Sequence, residues 1–423
     1  MNLKIEKSKV ESQKSKVEIT GSKSETNRLL LLQALYPNLT LENISNSDDS
    51  EVMVKALSTI CHIERSRDAT IINIDHAGTT MRFLTAYFAI QPNSEVVLTG
   101  SSRMKERPIK ILVDALKQLG AEISYEENDG FPPIRITGKK LLRNKVSLAA
   151  KVSSQYISAL LLIAPKLENG IELTLLGKIT SVPYIKMTLS LLNKIGVETS
   201  FIENKISVKP PVSLNAVDGQ QFIIESDWSS ASYFYSIIAL SPVGTQITLS
   251  SYKQNSIQGD AALIEIYKNF GVKTIFNDNK SITISKSTSH KSQLTIHHLE
   301  LNNSPDIAQT IAVTCFGLGI ECHLTGLHTL KIKETNRLQA LKNELEKLGA
   351  TVSISDDSLT LGFSTKINSN IKIKTYQDHR MAMAFAPLAL KTPIIIEDAE
   401  VVSKSYPTFW EDLKVIGFAI KTL

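Results

Sequence analysis

A short pattern, apolar-x-x-apolar-Gly-apolar, closes a helix-like stretch five times in this 423-residue chain. The copies are Leu116–Ala121, Leu192–Val197, Tyr267–Val272, Leu345–Ala350 and Leu413–Phe418. A degenerate sixth copy at Leu57–His62 has Cys61 where the others have glycine, and the spacings are then 59, 76, 75, 78 and 68 residues. Glycine just past a helix predicts a left-handed C′ residue. The stretch after Gly120, AEISYEENDGFPPIRITG, reads as strand, polar turn and strand, and Gly196, Gly271 and Gly349 are followed by similar runs. Asn/Asp-rich turns between alternating apolar runs predict hairpins. The last copy ends the chain, so its hairpin is expected to be shorter or absent. Regular recurrence of such a unit means a solenoid or a closed pseudo-symmetric array, and the spacing fits both.

A second repeat groups the units as two sets of three. The pentapeptide Glu-Thr-Asn-Arg-Leu occurs at 25–29 and again at 334–338, with Lys23 and Lys333 just upstream. Packing asks for apolar periodicity and does not explain repeated Lys, Glu and Arg. Cations at a helix start suit anions, because free N–H groups and the macrodipole point there. The expectation is a site between two related halves, built for a small, highly anionic substrate. At this length two domains are the prior. The crossovers are expected near Thr20–Gly21 and at Glu225–Ser230, which gives one domain of residues 1–20 plus 227–423 and another of 21–226. The first strand then packs with the C-terminal half, and two connections favour hinge closure on a ligand.

Composition excludes several classes. Apolar content of 42% and charged content of 21% are ordinary for a soluble globular protein. The net charge of +5 is modest, and no dense basic run interleaves with aromatics, so nucleic acid is not an expected partner. Cys61, Cys315 and Cys322 form no CxxC pair or metal-ligand spacing, which predicts free thiols and a cytoplasmic location. The opening residues lack an apolar secretory core, and Ile157–Pro165 is too short to span a bilayer, so no membrane partner is expected.

Several motifs carry candidate chemistry, and each has a plainer reading. In GSKSETNRLL, Ser24 or Thr26 is placed to cap a helix, with Lys23 and Arg28 near its first turn. A solvated capping box fits one copy equally well; the duplication argues against it. HAGTTMRFL, from His76, offers a turn into a helix where Gly78 lets a ligand approach closely. His76 alone more often means a satisfied histidine. In SSRMKERP, Arg103 follows a strand and suits a bidentate contact to carboxylate or phosphate, although three cations also make a solvated face. Ser153, Ser154 and Gln155 precede an apolar helix, as caps or as a phosphate grip. Ser181 adds a hydroxyl near Tyr184. Asp306 follows Pro305 at a helix start, either as a capping acid or as a general base among cations. Asp378, His379 and Arg380 precede a small-residue helix, and Lys404 follows in SKSYPTFW.

Together GSKSETNR, AGTTMR, RMKERP, VSSQY, SVPYI, ESDWSSASYF, SPDIAQTIA, IKETNRL, DHRMAMAFA and SKSYPTF occur in the order found in the 5-enolpyruvylshikimate-3-phosphate synthase family. The resemblance runs from about residue 3 to 420. It implies an α/β fold: a two-domain inside-out α/β barrel, each domain three βαβαββ repeats, with the active site in the interdomain cleft. It implies transfer of the enolpyruvyl group of phosphoenolpyruvate to the 5-hydroxyl of shikimate 3-phosphate, with release of phosphate. The route is addition and elimination through a tetrahedral intermediate, with no metal or organic cofactor, and a monomer is expected.

Carried over by position, Lys23, Ser24, Arg28, Ser153, Ser154 and Ser181 resemble the shikimate-phosphate grip, with Tyr184 beside them. Gln155 resembles a contact to both substrates. Gly78, Arg103, Arg337, Arg380 and Lys404 resemble the phosphoenolpyruvate grip, helped by Lys23, which is also counted among the catalytic residues. Asp306 resembles the acceptor of the 5-hydroxyl proton, and Glu334 the donor to carbon. Lys333 resembles the residue that orients the shikimate hydroxyls, and His379 a supporting hydrogen-bonder. Glyphosate is expected to bind in place of phosphoenolpyruvate. The chain departs from the pattern with His76 for Asn, Phe83 for Pro, Thr329 for Asn and Asn336 for Asp. Phe83 is expected to bear on the posture of the Gly78 turn.

Three other readings compete. One is the sister enzyme acting on UDP-N-acetylglucosamine, whose cysteine in a mobile Gly-rich loop has no counterpart here. Another is an RNA-processing protein on a similar repeat fold, and the third is a non-catalytic paralogue.

Overall fold

Every intact repeat glycine lies in the left-handed region, with φ of 104° at Gly120, 80° at Gly196, 74° at Gly271, 101° at Gly349 and 106° at Gly417. Gly120 shows the cause. It ends the helix Lys110–Leu119 and its N–H returns to the carbonyls of Leu116 and Lys117. A Cβ there meets no atom within 4 Å, so the backbone angle, not space, demands glycine. The computed structural model describes residues 1–10, 15–59, 69–150, 153–211, 219–278, 280–287 and 298–423. The degenerate copy's Cys61 lies outside these residues. Cys315 and Cys322 are free and buried.

The predicted hairpins follow Gly120, Gly196, Gly271 and Gly349. Glu122–Tyr125 pairs antiparallel with Ile134–Thr137, Thr199–Ile202 with Lys205–Val208, Val272–Phe276 with Ile282–Lys286, and Val352–Ile354 with Leu359–Leu361. Alternation sets the buried face: Ile134 and Ile136 are buried, and Arg135 between them is not. Each hairpin adds one antiparallel and one parallel strand to make a four-stranded sheet. In three of these sheets a helix crosses over between the two parallel strands; in the sheet of Val272–Phe276 the parallel partners, Lys16–Val17 and Gln246–Leu249, flank residues 23–224. Thr70–Asn73, helix Gly78–Ala89 and Glu95–Thr99 form one such unit.

The last copy keeps the pattern by borrowing. Ile420–Thr422 pairs antiparallel with Leu3–Ile5, which pairs antiparallel with Ile394–Ile396, which lies parallel to Ile371–Ile373. The strand missing from the final hairpin is therefore supplied by the start of the chain, with Leu3 and Ile5 buried beneath the sheet.

The chain divides into two compact units, Met1–Ser22 with Glu225–Leu423, and Lys23–Ile224. In each unit the crossover helices form the core. Helix Trp228–Leu240 buries every residue except Ser229, and Gly78–Ala89 buries all but Thr79, as expected of helices apolar on all sides. Sheets with one apolar face cover these helices. Among the described residues the strands form separate sheets, not one continuous hydrogen-bonded barrel.

Candidate functional site

The topology fixes where chemistry collects. Candidate residues fall at the entry to a crossover helix or to the second helix of a repeat, where the strand has ended and N–H groups are unspent. In the unit Lys23–Ile224, helix Lys23–Leu35 begins at Lys23 itself. Ser24 and Thr26 lie inside its first turns and do not cap it. Thr26 instead accepts a hydrogen bond from the Ser45 N–H at 3.1 Å. Lys23 Nζ stands 3.3 Å from the Asp49 carboxylate.

Arg28 is buried and heavily engaged. It donates to Thr188 Oγ1 at 2.8 Å, Ser158 Oγ at 2.9 Å, the Ser24 carbonyl at 2.7 Å and the Tyr184 carbonyl at 3.4 Å. Its guanidinium lies 5.5 Å from the Phe83 ring and 5.9 Å from the Tyr184 ring. Burial pulls it down to about 10, against the pull of Tyr184 and Glu25. Phe83 is thus a buried platform under Arg28. Ser153 caps helix Ser154–Ile163, accepting from the Gln155 N–H at 3.3 Å, and Gln155 Nε2 reaches Thr79 Oγ1 at 3.0 Å. Ser181 holds a left-handed backbone at φ 54° ahead of helix Val182–Lys194.

Gly78 begins helix Gly78–Ala89, as read from the sequence. The cation packed on it is Arg107. A Cβ at Gly78 comes within 2.5 Å of Arg107 Nη1 and 2.8 Å of its Cζ. Arg107 is 8% exposed. Arg103 sits in the helix Ser102–Lys105, half exposed and ion-paired with Glu106 at 2.8 Å. RMKERP offers three equivalent cations in sequence, and only burial separates Arg107 from Arg103 and Lys105. Nothing in the local sequence distinguishes Asp49 from its neighbour Asp48, and only burial does so. His76, in place of Asn, stands 3.1 Å from Asp75 and 3.8 Å from Asp49.

The other unit, Met1–Ser22 with Glu225–Leu423, holds a denser cluster. Asp306 lies in the 3₁₀ turn Pro305–Ile307 before helix Ala308–Leu318. Arg337 Nη1 reaches its Oδ1 at 2.8 Å and Lys333 Nζ at 3.3 Å. Arg337 also binds Glu334 at 2.7 Å and Asp378 at 2.7 Å through Nε. Arg380 Nη1 donates to the Asp306 carbonyl at 2.9 Å. Asp378 caps helix His379–Phe385 and accepts from the Arg380 N–H at 2.9 Å. His379 is buried, with Nδ1 4.0 Å from Asp378. Lys404 donates to the Gln377 carbonyl at 2.9 Å.

Charge balance in this cluster sets its chemistry. Burial would raise the Asp306 carboxyl, but Lys333, Arg380 and Arg337 outweigh it and hold it well below the usual carboxylate range. Burial likewise opposes the Arg337 charge, and Asp378, Glu334 and Asp306 more than restore it. The approach to Asp378 is strained, since Tyr376 and Gln377 have φ of 54° and 57°. Each costs about 1–3 kcal/mol, held here by the Tyr376 hydroxyl bonding Glu344 at 2.6 Å.

The two ETNRL copies fold differently. The first lies inside a helix; the second spans a turn, and only Arg337 and Leu338 enter helix Arg337–Lys347, capped by Asn336. Among the described residues no cluster of His, Cys, Asp or Glu is arranged to hold a metal, and no helix is long and apolar enough to cross a membrane.

The family model described as EPSP synthase (3-phosphoshikimate 1-carboxyvinyltransferase) matches residues 7–413. The chain belongs to the EPSP synthase family. It is 43% identical over 412 residues to the 3-phosphoshikimate 1-carboxyvinyltransferase of Bacteroides fragilis (strain YCH46), covering 96% of each chain. The enzyme of the same name from Haemophilus influenzae (strain Rd) is 35% identical over 426 residues, covering 95% of this chain and 96% of its own. The fold matches EPSP synthase from Acinetobacter baumannii with a TM-score of 0.78 at 21% identity over the whole of both chains. The enolpyruvyl transferase NikO from Streptomyces tendae matches with a TM-score of 0.73 at 14% identity, covering 99% of this chain and 98% of its own.

Proposed function

We propose that this chain transfers the enolpyruvyl group of phosphoenolpyruvate to the 5-hydroxyl of shikimate 3-phosphate, releasing phosphate. The observation that carries the reading is the Asp306 cluster: one buried carboxylate with Lys333 at 3.3 Å and Arg337 at 2.8 Å, and Glu334 on the same guanidinium at 2.7 Å. Acid, base and anion-binding groups are together there. Asp306 takes the hydroxyl proton as the oxygen adds to C2 of phosphoenolpyruvate, and Glu334 gives a proton to C3. Phosphate then leaves C2 as Glu334 takes a proton back from C3 and Asp306 gives its proton up to the departing phosphate. In the free protein the cations make Asp306 a weak base. Substrate anions draw on Arg380, Lys333 and Arg337, which raises the proton affinity of Asp306 when both substrates are seated.

Lys23, Ser24, Arg28, Ser153, Ser154, Ser181 and Tyr184 are assigned to shikimate 3-phosphate, and Gln155 to both substrates. Arg28 acts first as the tie between three helices, since most of its N–H groups are engaged. Gly78, Arg337, Arg380 and Lys404 are assigned to phosphoenolpyruvate. Burial against Gly78 adds Arg107 to that set and favours it over Arg103. Thr329 Oγ1 is buried with no hydrogen-bond partner among the described residues, which supports a contact to a substrate hydroxyl. Phosphate release from phosphoenolpyruvate, measured with shikimate 3-phosphate, with UDP-N-acetylglucosamine and with neither, tests the reading. Release that depends on shikimate 3-phosphate alone supports it; release with the sugar nucleotide overturns it.

A further inference from the structure

Asp260 is a buried carboxyl that the reaction above does not use. It stands in the 3₁₀ turn Gly259–Ala262, just before helix Leu263–Lys268. The corresponding approach to the second helix carries Asp49, Arg107, Ser181, Lys333 with Glu334, and Lys404 in the other repeats. Asp260 occupies the equivalent position of its own repeat and has no part in the reaction above. Asp260 is 4% exposed. Oδ2 accepts the Ser229 hydroxyl, and Oδ1 has no hydrogen-bond partner among the described residues. Ser229 Oγ in turn accepts from Arg380 Nη2 at 3.3 Å. Ser304 Oγ donates to the Gly259 carbonyl at 2.9 Å and ties this turn to the Asp306 loop.

The charged groups facing Asp260 are Asp306, Arg380 from helix His379–Phe385, and Asp227, which caps helix Trp228–Leu240. Arg337 and Lys333 stand beyond, on Asp306. An ionised carboxylate with a bare oxygen at this depth, beside two others, costs more than a neutral acid does. A neutral acid also leaves the Arg380 charge for a ligand. We propose that Asp260 is a positioning residue of the anion grip: as a neutral acid it aims Arg380 through Ser229, and its ionisation weakens anion binding there. Burial and then Asp306 push its carboxyl up to about 7, against the pull of Arg380 and Ser229. The proposal rests on assigning Arg380 to the phosphate of phosphoenolpyruvate.

Calorimetric binding of inorganic phosphate to the full chain, from about pH 5.5 to about pH 8.5, tests it on wild type, Asp260→Asn and Ser229→Ala. The ratio of wild-type to Asp260→Asn dissociation constants is expected near unity at the acid end and about tenfold at the alkaline end, the equivalent of one pKa unit of coupling. Ionisation of phosphate itself cancels in that ratio. Ser229→Ala keeps Asp260 but cuts the link, and is expected to weaken phosphate at every pH while shikimate 3-phosphate affinity is unchanged. Parallel wild-type and Asn profiles overturn the proposal, as does a Ser229→Ala protein with wild-type phosphate binding, or a wild type that binds no phosphate. The KM for phosphoenolpyruvate is expected to follow the phosphate profile. Phosphate behaviour as described, without turnover, refutes the enzymatic reading and leaves the role of Asp260 standing.

Discussion

At the scale of single residues, neighbours decide what each group does. Asp306 and Glu334 share one guanidinium yet are assigned opposite proton traffic. Asp306→Asn and Glu334→Gln are each expected to lower kcat by ~10²–10⁴-fold with much smaller changes in ligand affinity. Near-normal turnover in either variant shows the role misassigned. Arg107 and Arg103 make a sharper contrast, one buried on Gly78 and the other half exposed. Losing a charged hydrogen bond costs about 1.5–3 kcal/mol, so Arg107→Ala should raise the KM for phosphoenolpyruvate by roughly 10–100-fold. Arg103→Ala should stay near wild type, and steady-state kinetics on the pair will separate the two assignments.

Gly78→Ala puts a methyl 2.5 Å from the Arg107 guanidinium, which must move. It is the far end of a flexible side chain, so the fold should survive while the anion grip changes. Glyphosate inhibition and phosphoenolpyruvate KM are both expected to weaken, the longer inhibitor more. Equal weakening of the two rules out crowding of the inhibitor.

At the scale of elements, the repeat is legible because each unit needs the same break. A helix that must turn directly into a hairpin asks for a left-handed residue, and glycine supplies it. Gly120→Ala is expected to cost about 1–2 kcal/mol by denaturant unfolding, from backbone strain alone, since a Cβ there touches nothing. The strand Leu3–Ile5 is different in kind. It completes the last sheet by pairing on both sides, and Ile5 is fully buried. Ile5→Ala is expected to cost about 2–5 kcal/mol. A loss below that range in the same unfolding experiment shows the sixth sheet is not needed. Identical pentapeptides did not give identical elements: Arg28 is a mid-helix tie and Arg337 a first-turn hub. Five residues carry too little local preference to override packing.

At the scale of the whole molecule, the charge cluster makes folding stability depend on pH. Asp306 is held low in the folded state, so its contribution is present above the unfolded Asp value, about 3.9, and is lost as pH falls through and below it. Thermal unfolding of wild type and Asp306→Asn should therefore differ most near neutrality and converge in acid. A gap that persists unchanged below about pH 3 means the carboxylate charge is not what stabilises the cluster. The remaining charges around it, Arg337 with Asp378, are paired at 2.7 Å and should limit the residual loss.

The period of the fold and its helix–Gly–hairpin punctuation are legible in the sequence, because they rest on local backbone geometry, and the ordered motifs mark the polar residues proposed for the site. Tertiary structure alone decided the rest. It showed which arginine of RMKERP is buried, that Phe83 serves Arg28, and that the first strand finishes the last sheet. It also gave Asp260 its connection to Arg380. Each of these depends on which distant segments meet, and on the cost of burying a charge among them. Neither is encoded in any short stretch of chain.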